Sequence, residues 1–130
     1  MESLSPPRFE NIAAEIGLDH QYLIAAKPQD KGFAIYQQFG GGVAVIDYDM
    51  DGFADLYFAQ GGSDPPGYRG TQSNLLYRMT NPQLRDVTAA AGAADYRYSI
   101  GVTSGDWNQD GFPDLVVGNL GANALMINNG

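Results

Sequence analysis

Apolar residues in this chain come in short, β-branched runs separated by clusters of Gly, Asp, Asn and Pro. That spacing predicts strands at residues 42–46 (GVAVI), 56–59 (LYFA), 75–79 (LLYRM), 101–104 (GVTS), 115–117 (LVV) and 124–127 (ALMI), each of about the usual strand length. Further strands are expected at residues 8–12 and 84–88. Ala-rich pieces follow them, at 13–16 and 89–91, each long enough for one helical turn that Gly17 or Gly92 would end.

The strand pattern repeats. Residues 42–56 (GVAVIDYDMDGFADL) align without gaps on residues 101–115 (GVTSGDWNQDGFPDL), so that Asp106 follows Asp47 by 59 positions. Residues 9–17 (FENIAAEIG) likewise resemble 84–92 (LRDVTAAAG), and 74–77 (NLLY) resemble 123–126 (NALM). The whole chain, 1–130, therefore reads as one segment of two repeats, about 8–80 and about 84–130, with four strands to a unit. The first unit carries two extra loops, at 19–37 and 61–71, rich in Gly, Pro and polar residues, expected as surface excursions.

Between the first two strands of each unit lies a run of oxygen donors. Asp47, Asp49, Asp51 and Asp55 stand at loop positions 1, 3, 5 and 9, with Gly52 at 6 and the Phe53 carbonyl at 7; the second loop repeats the plan with Asp106, Asn108, Asp110, the Phe112 carbonyl and Asp114. A hard cation takes six to eight oxygen ligands, and Ca²⁺ suits this set better than Mg²⁺, which keeps its waters. Two Ca²⁺ sites are expected. An EF-hand would place a bidentate Glu at position 12, where Phe58 and Val117 stand, and would have helices on either side. Asp51-Gly52 and Asp110-Gly111 are also hairpin-turn dipeptides. Turn formation explains one Asp and one Gly, not three further donors at identical spacing, and four close carboxylates repel one another without a cation. With four carboxylates against three, the first loop is expected to bind more tightly.

Charge supports a local purpose for these residues. The formal charge is -8, and seven of the 15 acidic residues lie in the two loops, leaving the remainder near neutral against seven Lys and Arg. The basic residues are scattered, with no stripe to follow a phosphate backbone, which argues against a nucleic-acid partner. With 44% hydrophobic residues the chain can build a core, while 17 Gly and seven Pro demand many turns. Cys is absent, which removes disulfide and thiolate chemistry. No run approaches the ~20 apolar residues of a membrane span, and the first seven residues show no signal-peptide pattern.

Catalytic motifs are missing as well. The sole histidine, His20, falls in the first extra loop and is expected to be solvated; there is no nucleophile elbow, P-loop or dinucleotide-binding glycine pattern. Tyr48 and Trp107 share the position after the first ligand and are expected to pack on a neighbouring strand, the alternative being a platform for sugar faces.

At the Phe39-Gly40 pair, the two D-x-D/N-x-D-G-x-x-D-L loops and the 74–77 and 123–126 strands, the chain resembles the FG-GAP, or VCBS, repeats of integrin-alpha-like β-propellers. Residues 84–92 look more narrowly like proteins related to cartilage acidic protein and to the ASPIC/UnbV group. The resemblance implies an all-β fold of two four-stranded antiparallel propeller-type blades, with Ca²⁺ held in the hairpin between first and second strands. It implies a non-catalytic, adhesion-type scaffold, extracellular, periplasmic or at a cell surface, with a protein or glycan partner; a lectin-like carbohydrate-binding module is the alternative. Propellers close with four to eight blades, so two blades are either part of a longer ring or a ring completed by copies of the chain.

Overall fold

The computed structural model describes residues 6–24, 34–63 and 67–130; parts of both extra loops and the first five residues lie outside these. Among the described residues, seven strands form in chain order: β1 (Val43–Ile46), β2 (Asp55–Phe58), β3 (Leu75–Met79), β4 (Leu84–Asp86), β5 (Ser99–Gly105), β6 (Asp114–Asn119) and β7 (Ala124–Met126). A short 3-10 turn, Ile35–Gln38, precedes them. All pairings are antiparallel between sequence neighbours. They give a four-stranded sheet, β1-β2-β3-β4, and a three-stranded sheet, β5-β6-β7.

The all-β architecture and the antiparallel order follow the expectation, but the strand count does not. Residues 84–86 close the first sheet by pairing with β3 rather than opening the second. Residues 8–12 form no strand: Phe9 is fully exposed and Ile12 is 43% exposed. A strand needs a partner edge, and among the described residues none lies against this segment. The helical turns, by contrast, form as expected. Ile16 N donates to Ile12 O and Ala91 N to Val87 O, and Gly17 and Gly92 end the turns at φ 80° and 65°.

Side-chain alternation decides how the sheets stack. In β1, Ala44 and Ile46 are buried while Val43 and Val45 are exposed, since successive residues face opposite sides of a strand. Ala44, Ile46, Tyr57 and Leu76 on one face of the first sheet meet Leu115 and Val117 from the second, with Val102, Ala124 and Met126 packed around them. The inner strands β1 and β5 lie side by side, tied by Ser104 Oγ donating to Val45 O at 2.9 Å. The opposite face of the first sheet is partly covered by residues 19–22. There His20 stacks on Phe58 at 4.6 Å between centroids, and Tyr77 Oη donates to Asp19 O. His20 is therefore half-buried rather than solvated, and desolvation lowers its pKa. Among the described residues, no helix is long and apolar enough to cross a membrane.

Candidate metal centre

Each donor-rich run becomes the hairpin between the first two strands of its sheet, β1 to β2 and β5 to β6. The two loops share a frame of backbone N–H to Asp hydrogen bonds, position by position. Asp47 accepts from Asp51 N and Gly52 N, both at 3.0 Å, as Asp106 accepts from Asp110 N and Gly111 N at 3.1 and 3.0 Å. Asp51 Oδ1 takes Phe53 N at 2.9 Å, and Asp110 Oδ1 takes Phe112 N at 2.8 Å. Position 9 anchors the base: Asp55 accepts from Tyr48 N and Met79 N, while Asp114 accepts from Trp107 N and Asn128 N. Both loops turn through left-handed residues at positions 4 and 6, Met50 and Gly52 in one, Gln109 and Gly111 in the other. Only position 6 is legible from sequence, because Gly tolerates that conformation freely and Met or Gln do not.

In the first loop, one carboxylate oxygen each from Asp47, Asp49 and Asp55 lie within 4.8 Å of one another. Ligand oxygens at 2.3–2.6 Å from a shared Ca²⁺ stand at most about 5 Å apart, so this donor set fits one such ion. Asp51, the fourth expected carboxylate, is turned toward Arg78: its Oδ2 receives Arg78 Nη2 at 2.8 Å, and Asp49 receives Arg78 Nε. Asp55 is fully buried, and that burial, opposed by its two N–H donors and reinforced by Asp49 and Asp51, raises its pKa. Arg78 is held more firmly protonated than usual by its hydrogen bond to Asp49.

The second loop has the same frame with a different charge content. Asn108 Nδ2 donates to Asp110 Oδ2 at 2.7 Å and Asn108 Oδ1 accepts from Asp110 N. An amide thus does inside the loop what Arg78 does from outside the first. The strand position matching Arg78 is Ile127, so no guanidinium reaches the second loop from there. At position 3, where the first loop has Asp49, this loop has the amide of Asn108, so it holds three carboxylates in place of four.

Two residues outside the motif matter to its geometry. Arg78 neutralises part of the first loop from β3, and Asn128 bridges the loops, its N donating to Asp114 and its Nδ2 to Tyr48 O at 2.7 Å. Neither had a sequence signal, since their partners lie far along the chain. Tyr48 packs against the core as expected, whereas Trp107 is 67% exposed beside the second loop.

The profile of the FG-GAP-like repeat family matches residues 47–117, from the first Asp of the first loop into β6. The chain belongs to the FG-GAP-like repeat family. Among curated proteins, this FG-GAP-like chain is similar to integrin alpha-V of Gallus gallus, 33% identical over 104 residues, which is 74% of the chain and 10% of the integrin. It therefore spans about a tenth of that relative's length. No solved structure matches it.

Proposed function

We propose that this FG-GAP-like chain is a calcium-binding β-propeller module, two repeats of a non-catalytic, adhesion-type scaffold working outside the cell or at its surface. One observation carries the reading: two hairpin loops share ligand spacing, backbone conformation and hydrogen bonds, and the first gathers three carboxylates at the separation one Ca²⁺ requires. Asp47, Asp49, Asp51, Asp55 and the Phe53 carbonyl would hold the first ion. Asp106, Asn108, Asp110, Asp114 and the Phe112 carbonyl would hold the second. The similarity to an integrin alpha chain supports the adhesive role and the extracellular setting.

The ions would be structural, binding the folded state only. At 100 times its dissociation constant each would add about 2.7 kcal/mol. Thermal melting in millimolar Ca²⁺ and in excess chelator tests this, and an unchanged midpoint would remove the calcium reading. A second reading, carbohydrate binding, is favoured by the exposed indole of Trp107, since aromatic faces stack on the apolar faces of sugars. Glycan-array binding abolished by Trp107→Ala would establish it; an array blank for the parent protein would exclude it.

A further inference from the structure

The two loops reach the same net charge by different routes. Asp47, Asp49, Asp51 and Asp55 are offset by the guanidinium of Arg78, which pairs with Asp49 and Asp51. Asp106, Asp110 and Asp114 stand beside the neutral amide of Asn108. The extra carboxylate of the first loop is thus cancelled, and counting carboxylates no longer ranks the two as cation sites. What ranks them is what each must release to take an ion.

Position 5 shows the difference. In both loops its Oδ1 is held by the N–H at position 7, Phe53 or Phe112. Its other oxygen meets a cation in one loop and an amide in the other: Asp51 Oδ2 receives Arg78 Nη2 at 2.8 Å, and Asp110 Oδ2 receives Asn108 Nδ2 at 2.7 Å. Parting Asp51 from a guanidinium forfeits an attraction between opposite charges that an amide does not supply. Arg78 also grips position 3, through Nε on Asp49, so one planar fork clamps two expected ligands together. In the second loop positions 3 and 5 hold each other, and both belong to the donor set.

β4 adds a second cost. Arg78 stands directly opposite Arg85 in the β3–β4 ladder, and like charges so placed destabilise a sheet. Among the described residues the ion pairs are those of Arg78 and that of Arg97 with Asp95, so Arg85 has no carboxylate of its own. The hold of Arg78 on Asp49 and Asp51 therefore offsets the repulsion between the two arginines. Drawing those carboxylates to an ion restores it. The second loop carries no such cost, because the position matching Arg78 is Ile127.

We propose that Arg78 is a built-in competitor for the first loop, so that the second loop fills with Ca²⁺ at the lower concentration and the first is the responsive site. This order rests on both loops taking Ca²⁺, as proposed above, and reverses the one that carboxylate number predicts. Two partly exposed ion pairs shift an affinity about three- to tenfold. The duties of the sites divide accordingly. Asp114, in the loop that fills first, is tied through Asn128 to Tyr48 O, so that loop braces one hairpin against the other. The first loop couples its occupancy to the pairing of β3 with β4.

Nuclear magnetic resonance of the ¹⁵N-labelled chain, titrated with Ca²⁺, tests the order. The amides of Gly52 and Gly111, each bonded to the first Asp of its loop, read the two sites separately in one sample. Gly111 should reach its midpoint at about three- to tenfold lower free Ca²⁺ than Gly52. Fluorescence of Trp107, the sole Trp and a member of the second loop, should follow Gly111. Arg78→Gln should lower the Gly52 midpoint by a similar factor and leave Gly111 in place, whereas Arg78→Lys, which keeps the charge, should preserve the parent order. Ile127→Arg, which sets a guanidinium at the matching position, should raise the Gly111 midpoint. Gly52 responding before or together with Gly111, a Gly52 midpoint unchanged or raised by Arg78→Gln, or a Gly111 midpoint indifferent to Ile127→Arg would overturn the proposal while leaving calcium binding intact. Two glycines that never respond to millimolar Ca²⁺ would remove the calcium reading and this order with it.

Discussion

Asp55→Asn separates the two roles of the ninth loop position. Asp55 is fully buried, and its two oxygens accept Met79 N at 2.7 Å and Tyr48 N at 3.1 Å, so it ties the base of the loop to β3. An amide of the same shape offers one acceptor where two N–H groups need one each. One buried N–H is left facing an NH₂ group, at a cost of about 1–3 kcal/mol. In a chain of this size that lowers the melting midpoint by roughly 3–10 °C, and it does so in chelator as well as in calcium. In calcium a further loss appears, because one ligand of the first site is gone. Against a parent saturated at 100 times its dissociation constant, that increment is at most about 2.7 kcal/mol. Differential scanning calorimetry of parent and variant in both buffers reads the two parts separately. A variant that melts with the parent in chelator would refute the anchoring role. One that keeps the parent's full calcium increment would refute the ligand role.

Three further outcomes are expected. Arg78→Ala, which frees Asp49 and Asp51 from the guanidinium, should raise the calcium affinity of the first loop about three- to tenfold, measured by titration calorimetry with the second loop silenced by Asp106→Asn and Asp110→Asn. Weaker binding would mean that Arg78 positions the carboxylates instead of competing for them. Burial of Asp95 works against its charge, but the side chain and backbone N–H of Arg97 together with Asn119 hold its pKa below the usual carboxylate value. Its stabilisation should therefore be complete above about pH 4 and disappear as pH falls through the lowered value, so urea midpoints of parent and Asp95→Asn should converge in acid. Gly42→Ala should destabilise by about 1–3 kcal/mol, since its methyl would lie 2.9 Å from Val102 N and 3.0 Å from Gly101 Cα, whereas Gly40→Ala meets nothing within 4 Å and should be neutral in urea unfolding.

Local order along the chain settled much of this molecule. The donor spacing from Asp47 to Asp55 and from Asp106 to Asp114 belongs to single hairpins, so loop shape, turn position and the doubling of the unit are legible without tertiary information. The all-β class and the turns ending at Gly17 and Gly92 are legible for the same reason: each depends on neighbours a few residues apart. What depends on distant partners was not legible. Arg78 meets the first loop only because β3 runs beside β2, and Asn128 reaches Tyr48 only because the sheets stack. The fate of residues 8–12 follows from the same physics. Their sequence is that of a fourth strand, but a strand exists only against an edge, and among the described residues none lies against them.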